Sequence, residues 1–439
     1  MSATTIQGVR GRRVWDSRGR PTVEAEIRLA CGATGRAIAP AGASTGSGEA
    51  SDLRDGGERF GGQDVTRAVA AVNEVIASAL AGADAAGQAA VDGLLCELDG
   101  TPDKRRLGGN ATIAVSMAAA HAAAADSGLP LWRYLGGDEA VTLPLPEIQI
   151  FGGGAHAAGR LDVQDFLVVC PGAAIFAEAL DWTAEVYRAA GALMAAAGRL
   201  KGVADEGGFW PDFDSNEQAL ETLTHAIERA GFRPVEQVAI ALDIAATQLG
   251  SAGRYRLARD GRDLDTDGLI EVLEGWLGRY PIVSVEDPLA EDDPQGFVRF
   301  TRRTADRGLQ VVGDDFLVTD VDRVRAAAQT GACTTVLVKP NQRGTLTEAK
   351  AAWDTARAYG MGGIASARSG ESEDVTIVHL AVGWGVPGLK VGSFARSERM
   401  AKWNEGLRIE EALGSRARFA GKAGLEQRPQ RPGEGSEQA

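Results

Sequence analysis

The chain has 439 residues, 44% hydrophobic and 24% charged, which is enough for two domains or a large barrel with a smaller companion, because single cores rarely grow past about 250–300 residues. That composition fits a folded, soluble protein and excludes extensive disorder. A formal net charge of −14 argues against a nonspecific hold on nucleic acid or an anionic membrane, while leaving room for a local cationic pocket.

The N-terminal stretch MSATTIQGVRGRRVWDSRGR carries arginines with no apolar run behind them, so it does not read as a secretory signal. No segment approaches the roughly 18–20 uninterrupted apolar residues of a membrane helix. Cys31, Cys96, Cys170 and Cys333 are scattered without a CxxC pair, which fits reduced thiols. A cytoplasmic location is the expectation.

Residues 6–40 read as short strands: VEAEIRLA alternates polar and apolar positions, and Gly32 and Gly35 punctuate a hairpin before GRAIAP. A glycine-rich loop, AGASTGSGEA, follows. From Val65 to Gly136 the chain turns alanine-rich with helical spacing, broken at GADAAG, DGTPDK and SGLP, which predicts several packed helices. Residues 1–140 are therefore expected to form an α+β domain. Beyond it, the short apolar segments FLVVC, VAIALDI, IVSVED, LQVVGDD, TTVLVKP, GGIASAR and GLKVG alternate with helical stretches, as the strands of a parallel β/α barrel do, predicted here over 141–420. The Gly-, Pro-, Glu- and Gln-rich residues 421–439 read as a mobile tail.

Three acids end three successive predicted strands: Asp243 in ALDIA, Glu286 in SVEDP and Asp314 in VGDDF. Each alone is equally well a helix cap or a loop residue. Carboxylates gathered at one barrel rim repel one another unless a divalent cation lies among them, and an all-oxygen set suits Mg²⁺. The next strands run into Lys339, in VLVKPNQ, and Lys390, in GLKVG. Lysines there ordinarily snorkel to solvent, but at a cation-bearing rim a lysine's pKa is lowered and it becomes a base, which points to abstraction of a carbon acid's proton.

The phrases VWDSRGRPTVEAE, GASTGSGEASDLRDG, ADEGGFWPDF, ALDIAA, SVEDPLAEDD, VVGDDFLVTD, LVKPNQRGTLTEA, ARSGESED and ARSERMAKWNEGLRIEEAL resemble the enolase family, in the order the family uses, over about residues 6–415. The resemblance implies an α+β N-terminal capping domain followed by a modified (β/α)8 barrel, a carbon–oxygen lyase using two Mg²⁺ ions per site, and a homodimer or larger homo-oligomer. It implies Asp243, Glu286 and Asp314 as metal ligands, Lys339 as general base, Lys390 as the lysine facing the substrate carboxylate, and Arg368 and Ser369 as phosphate binders. Ser44, on the glycine-rich loop, resembles the serine that closes over the site and completes the second metal's coordination. Glu206 in DEGG matches the acid that helps expel the leaving hydroxyl, His156 matches a histidine of the carboxylate-side loop, and Gln164 begins the substrate-contacting QDF phrase.

The departures from the family pattern fall in the site. The chain reads GGGAHAAGRLDVQDF where the family has NGGxHAxN and QEF, so Gly152 and Gly159 replace asparagines and Asp165 replaces a glutamate; SARSGE replaces SHRSGE, leaving Ala367 for a histidine. These changes predict a wider, looser wall around the leaving group at C3, with the proton-abstracting half intact. The expectation is a diverged paralogue acting on 2-phosphoglycerate or a close analogue. The alternatives are a paralogue of phosphonate biosynthesis, such as carboxyphosphonoenolpyruvate synthase, and a non-catalytic binding protein of enolase fold.

Overall fold

The computed structural model describes residues 2–43 and 45–426. The reading made of Ser44, and that of the tail from 427 onward, lie outside the described residues.

The N-terminal part begins with an antiparallel sheet of Ile6–Trp15, Pro21–Leu29 and Thr34–Ile38. The predicted helices follow: a helical run over 66–80, then Gln88–Asp99, Gly109–Asp126 and Leu131–Gly136, separated at the glycine-containing breaks. Gly109–Asp126 is apolar all round and buried along most of its length, as a helix sandwiched between other layers must be. Its alanines let the sheet approach closely. A Cβ at Gly35 would lie 2.1 Å from the Ala122 nitrogen and 2.2 Å from the Ala118 oxygen, so any side chain at 35 would push helix and sheet apart.

Leu145–Gly152, Asp165–Val169, Ala239–Asp243, Ile282–Glu286, Gln310–Gly313, Thr335–Val338, Gly362–Ser366 and Gly388–Ser393 close into an eight-stranded barrel in chain order. The first of them, Leu145–Gly152, is absent from the strands read from the sequence, because Pro146 interrupts the pattern. The second, Asp165–Val169, runs antiparallel to both neighbours, with Asp165 opposite Gly152 and Asp243. In a barrel the chemistry sits where the parallel strands end. Reversal of this one strand brings its first residue, Asp165, to that same end.

At the opposite end, Leu425 packs with Leu145, Leu167 and Ala239, and Gln310 Nε2 donates to the Gly424 carbonyl at 3.3 Å. Gly421, Gly424 and Leu425 thus pack at the barrel floor, while Lys422, Ala423 and Glu426 are exposed. The N-terminal part sits over the mouth, tied by the Ala50 amide to the Gln342 carbonyl at 2.7 Å and by Lys104 to Glu348 at 3.0 Å. Among the described residues no helix is long and apolar enough to cross a membrane.

Candidate active site

One pocket at the barrel mouth is lined by His156, Gln164, Asp165, Glu206, Asp243, Lys339, Arg368, Ser369 and Lys390, with Ala367 in its wall. Glu286 and Asp314 lie buried at its base, joined to the lining through the two lysines.

Lys390 Nζ sits 2.9 Å from Asp243, 2.7 Å from Glu286 and 3.7 Å from Asp165. Burial opposes its charge, yet Asp243, Glu286 and Asp165 together hold it well above the ordinary lysine value. Glu286 is pushed well above the usual carboxylate range by burial and by Asp243, with Lys390 pulling the other way, and its Oε1 is buried with no hydrogen-bond partner. An orphaned carboxylate oxygen among crowded acids is a group that a cation could satisfy. Asp243, Glu286 and Asp314 fit one in donor chemistry, all oxygen and all buried. They are not drawn to one point, however, since Lys390 stands between Asp243 and Glu286. Among the described residues, the sets of ligand atoms that gather within 4.8 Å are His156 with Asp165 and Glu206, and Asp287 with Asp314 and Asp315.

Lys339 pairs with Asp314 in a close buried contact. Burial lowers its pKa, as do Arg368 and Lys390, but Asp314 and Glu286 outweigh them and the net shift is upward. Asp314 thus holds Lys339 above its ordinary value; the lowering expected from sequence belongs to a rim that carries a cation.

Across the mouth, His156 Nδ1 lies 2.8 Å from Asp165 and Nε2 lies 3.6 Å from Glu206. Burial disfavours the imidazolium, but the two carboxylates prevail and raise His156 to about 9. Glu206, although buried, is held below its ordinary value by His156 and Arg399. The exchangeable proton of this cluster therefore resides on the histidine. Asp165 also accepts a short hydrogen bond from Gln149, whose other end takes the Gly208 amide at 2.8 Å.

On the third side, Arg368 donates to Glu49 at 3.0 Å and to Asn341 at 3.2 Å. The fully buried Arg399 donates to the carbonyls of Arg368, Ser369 and Val391, holding the 368–369 turn rigid. Gln164 Nε2 donates to Asp243 at 2.9 Å.

The replaced positions behave unequally. Ala367 does line the pocket. Gly152 does not loosen the wall: a Cβ there would lie 2.7 Å from the Ala204 methyl and 3.4 Å from Gln149 Nε2, so neighbours already fill that space. Gly159 is exposed in a left-handed turn with nothing near it and leaves the wall unchanged.

Glu49, Gln149 and Arg399 also shape the site and were not singled out from sequence. Glu49 and Arg399 sit inside phrases that carried the resemblance, so an acid in a glycine loop and an arginine in a helix were the available signals. Glu147 is a further buried acid, paired across the strand register with Lys390. Burial and Asp243 lift it to about 7, with Lys390 opposing.

Comparison with known protein families gives two matches that divide the chain between them. Residues 6–135 match the family model described as enolase, N-terminal domain, and residues 140–428 match enolase, C-terminal TIM barrel domain.

Proposed function

Matched over both parts, the chain belongs to the enolase family, and from that premise we propose that it is a magnesium-dependent lyase that removes the proton α to a carboxylate and eliminates the C3 group of 2-phosphoglycerate or a close analogue. The observation that carries this reading is the placement of Lys339 opposite Asp165. Their strands are four apart in a ring of eight, so a base on one face of a bound substrate confronts an acid cluster on the other. That is the arrangement a β-elimination needs.

Asp243, Glu286 and Asp314 would hold the Mg²⁺, with a second ion completed by Ser44. Bound there, Mg²⁺ neutralises the substrate carboxylate as charge develops on it. Lys390, kept cationic by its acids, faces the same carboxylate. Lys339 becomes basic when Asp314 is engaged elsewhere, because burial, Arg368 and Lys390 then act unopposed by their strongest counterweight. On the far face the leaving hydroxyl meets His156, which holds the cluster's proton, with Glu206 beside it. Arg368 and Ser369 bind the phosphoryl group once Arg368 exchanges Glu49 for it, and Gln164 steadies Asp243 beneath the substrate.

Ala367, adjoining Arg368, favours a second reading: a paralogue whose substrate carries a bulkier group, such as a phosphonate. Retention of buried, mutually repelling acids speaks against a retired, purely binding role. A homo-oligomer in the cytoplasm completes the reading.

The test is absorbance at the enol band with 2-phosphoglycerate and Mg²⁺, set beside exchange of the α-proton with solvent, for the native chain and the Asp165→Glu, Ala367→His double variant. Native turnover supports the lyase on 2-phosphoglycerate. Exchange without turnover, restored by the double variant, moves the assignment to an analogue. No exchange in either chain overturns Lys339 as base.

A further inference from the structure

A second cavity, about 30 Å³ in volume, lies directly behind the pocket, between the N-terminal part and the barrel, and Ser366 and Ala367 form the wall common to both. That wall is fixed: the Ala367 amide donates to the Lys390 carbonyl at 2.9 Å and Ser366 Oγ donates to the Ala367 carbonyl at 2.9 Å. At 367 the side chain is one methyl group, so the partition is as thin as any residue but glycine allows.

The chemistry of the cavity decides what could enter it. Its apolar surface comes from Ile38, Ile113 and Met117 on one side and Ile377 and Leu380 on the other. Its charged groups have partners: Glu371 pairs with Lys402 at 2.9 Å, and Asp374 accepts the Ile38 amide at 2.8 Å and the Thr376 amide at 2.7 Å. Thr376 Oγ1 in turn shares a hydrogen bond with His121 at 2.9 Å. A water needs two to four polar partners and an ion needs a counter-charge. Asn341, Ser366 and Thr376 bring polar atoms to its edge, but most of its surface is apolar, which favours an alkyl group over an ion. The volume matches about one or two water-sized groups, room for a methyl group with little to spare.

We propose that this cavity is a substituent subsite, and that the substrate carries a small alkyl group at C3 which passes Ala367 and packs against Ile113, Ile377 and Leu380. The position follows from the pocket itself: Ala367 shares it with His156 and Glu206, which face the C3 hydroxyl. The inference rests on the lyase reading above and adds the substrate class to it.

The experiment compares kcat/KM for 2-phosphoglycerate with that for its homologue methylated at C3, following α-proton exchange for both. One methyl group in an apolar pocket changes kcat/KM by about 10- to 200-fold. The native chain is expected to favour the methyl homologue by about 10-fold or more, and Ile377→Phe, which fills the cavity from a half-buried position, is expected to abolish that preference. Ile113→Val, which enlarges it, is expected to admit the ethyl homologue. An unchanged substrate ratio in a folded Ile377→Phe overturns the subsite. Should that variant fail to fold by circular dichroism, unaltered rejection of the ethyl homologue by Ile113→Val overturns it instead. Absence of α-proton exchange with every substrate overturns the lyase reading and this inference with it, whereas exchange without discrimination overturns the subsite alone.

Discussion

His156 Nδ1 lies 2.8 Å from a carboxylate oxygen of Asp165, and the contact is sealed from solvent, Asp165 being 0% exposed. Against the cost of burial, Asp165 and then Glu206 lift the imidazole to about 9. A group whose folded pKa is raised contributes stability that is present in full below its unfolded pKa, about 6.5, and is lost as pH rises through the folded value. The melting temperature of the native chain should therefore fall between pH 6.5 and 9 by more than that of Asp165→Asn. An NMR titration of the His156 ring should give a midpoint near 9 in the native chain and a lower one in the variant. A native midpoint near 6.5 would show that the carboxylates do not hold the proton.

The Lys339–Asp314 pair makes a second, separable prediction. Both side chains are at least nine-tenths buried, so Lys339→Ala strands a buried carboxylate and should cost about 3–5 kcal/mol of stability. Loss of the base should also slow α-proton exchange by about 10²- to 10⁴-fold. Lys339→Ala combined with Asp314→Asn should recover much of the stability and none of the exchange. Exchange at the native rate in Lys339→Ala would place the base elsewhere.

Glu286 ties metal binding to pH. Its carboxyl is pushed well above the usual range by burial and by Asp243, while a cation binds only the ionised form. Mg²⁺ binding should therefore release protons, seen as a dependence of the calorimetric heat on the buffer's ionisation enthalpy, and affinity should rise with pH. Asp314→Ala should weaken binding strongly. An isotherm indifferent to both buffer and substitution would remove Asp314 and Glu286 from the ligand set.

The parts of this molecule that were legible in sequence are those that depend on local pattern. The alanine-rich helices are bounded by glycine breaks, and Asp243, Glu286, Lys339 and Lys390 follow apolar runs, so a barrel alone suffices to bring them to one rim. Strand direction leaves no local mark, so the residues around Asp165 show only the run FLVVC; the resemblance points to Asp165, and the reversal of Asp165–Val169 is what carries it to the mouth. Partnerships across long separations are equally silent: Glu49 meets Arg368 from 319 residues away. A replaced residue read alone suggests empty space, but packing can occupy that space from elsewhere, as Ala204 does behind Gly152.

That packing gives the last prediction. A side chain at Gly152 would meet the Ala204 methyl at 2.7 Å and Gln149 Nε2 at 3.4 Å, and Gln149 bridges Asp165 and the Gly208 amide. Gly152→Asn should thus destabilise the chain by about 1–3 kcal/mol through overpacking rather than restore a hydrogen-bonding wall. Ala204→Gly in the same chain removes the nearer obstacle and should return a good part of that loss, appearing in a double-mutant cycle as a coupling of about 0.5–3 kcal/mol. If the strain is instead relieved by displacing Gln149, the Asp165 carboxylate loses a donor and the His156 titration midpoint moves. Full additivity of the two substitutions, with the His156 midpoint fixed, would mean that Ala204 and Gln149 do not close the space behind Gly152.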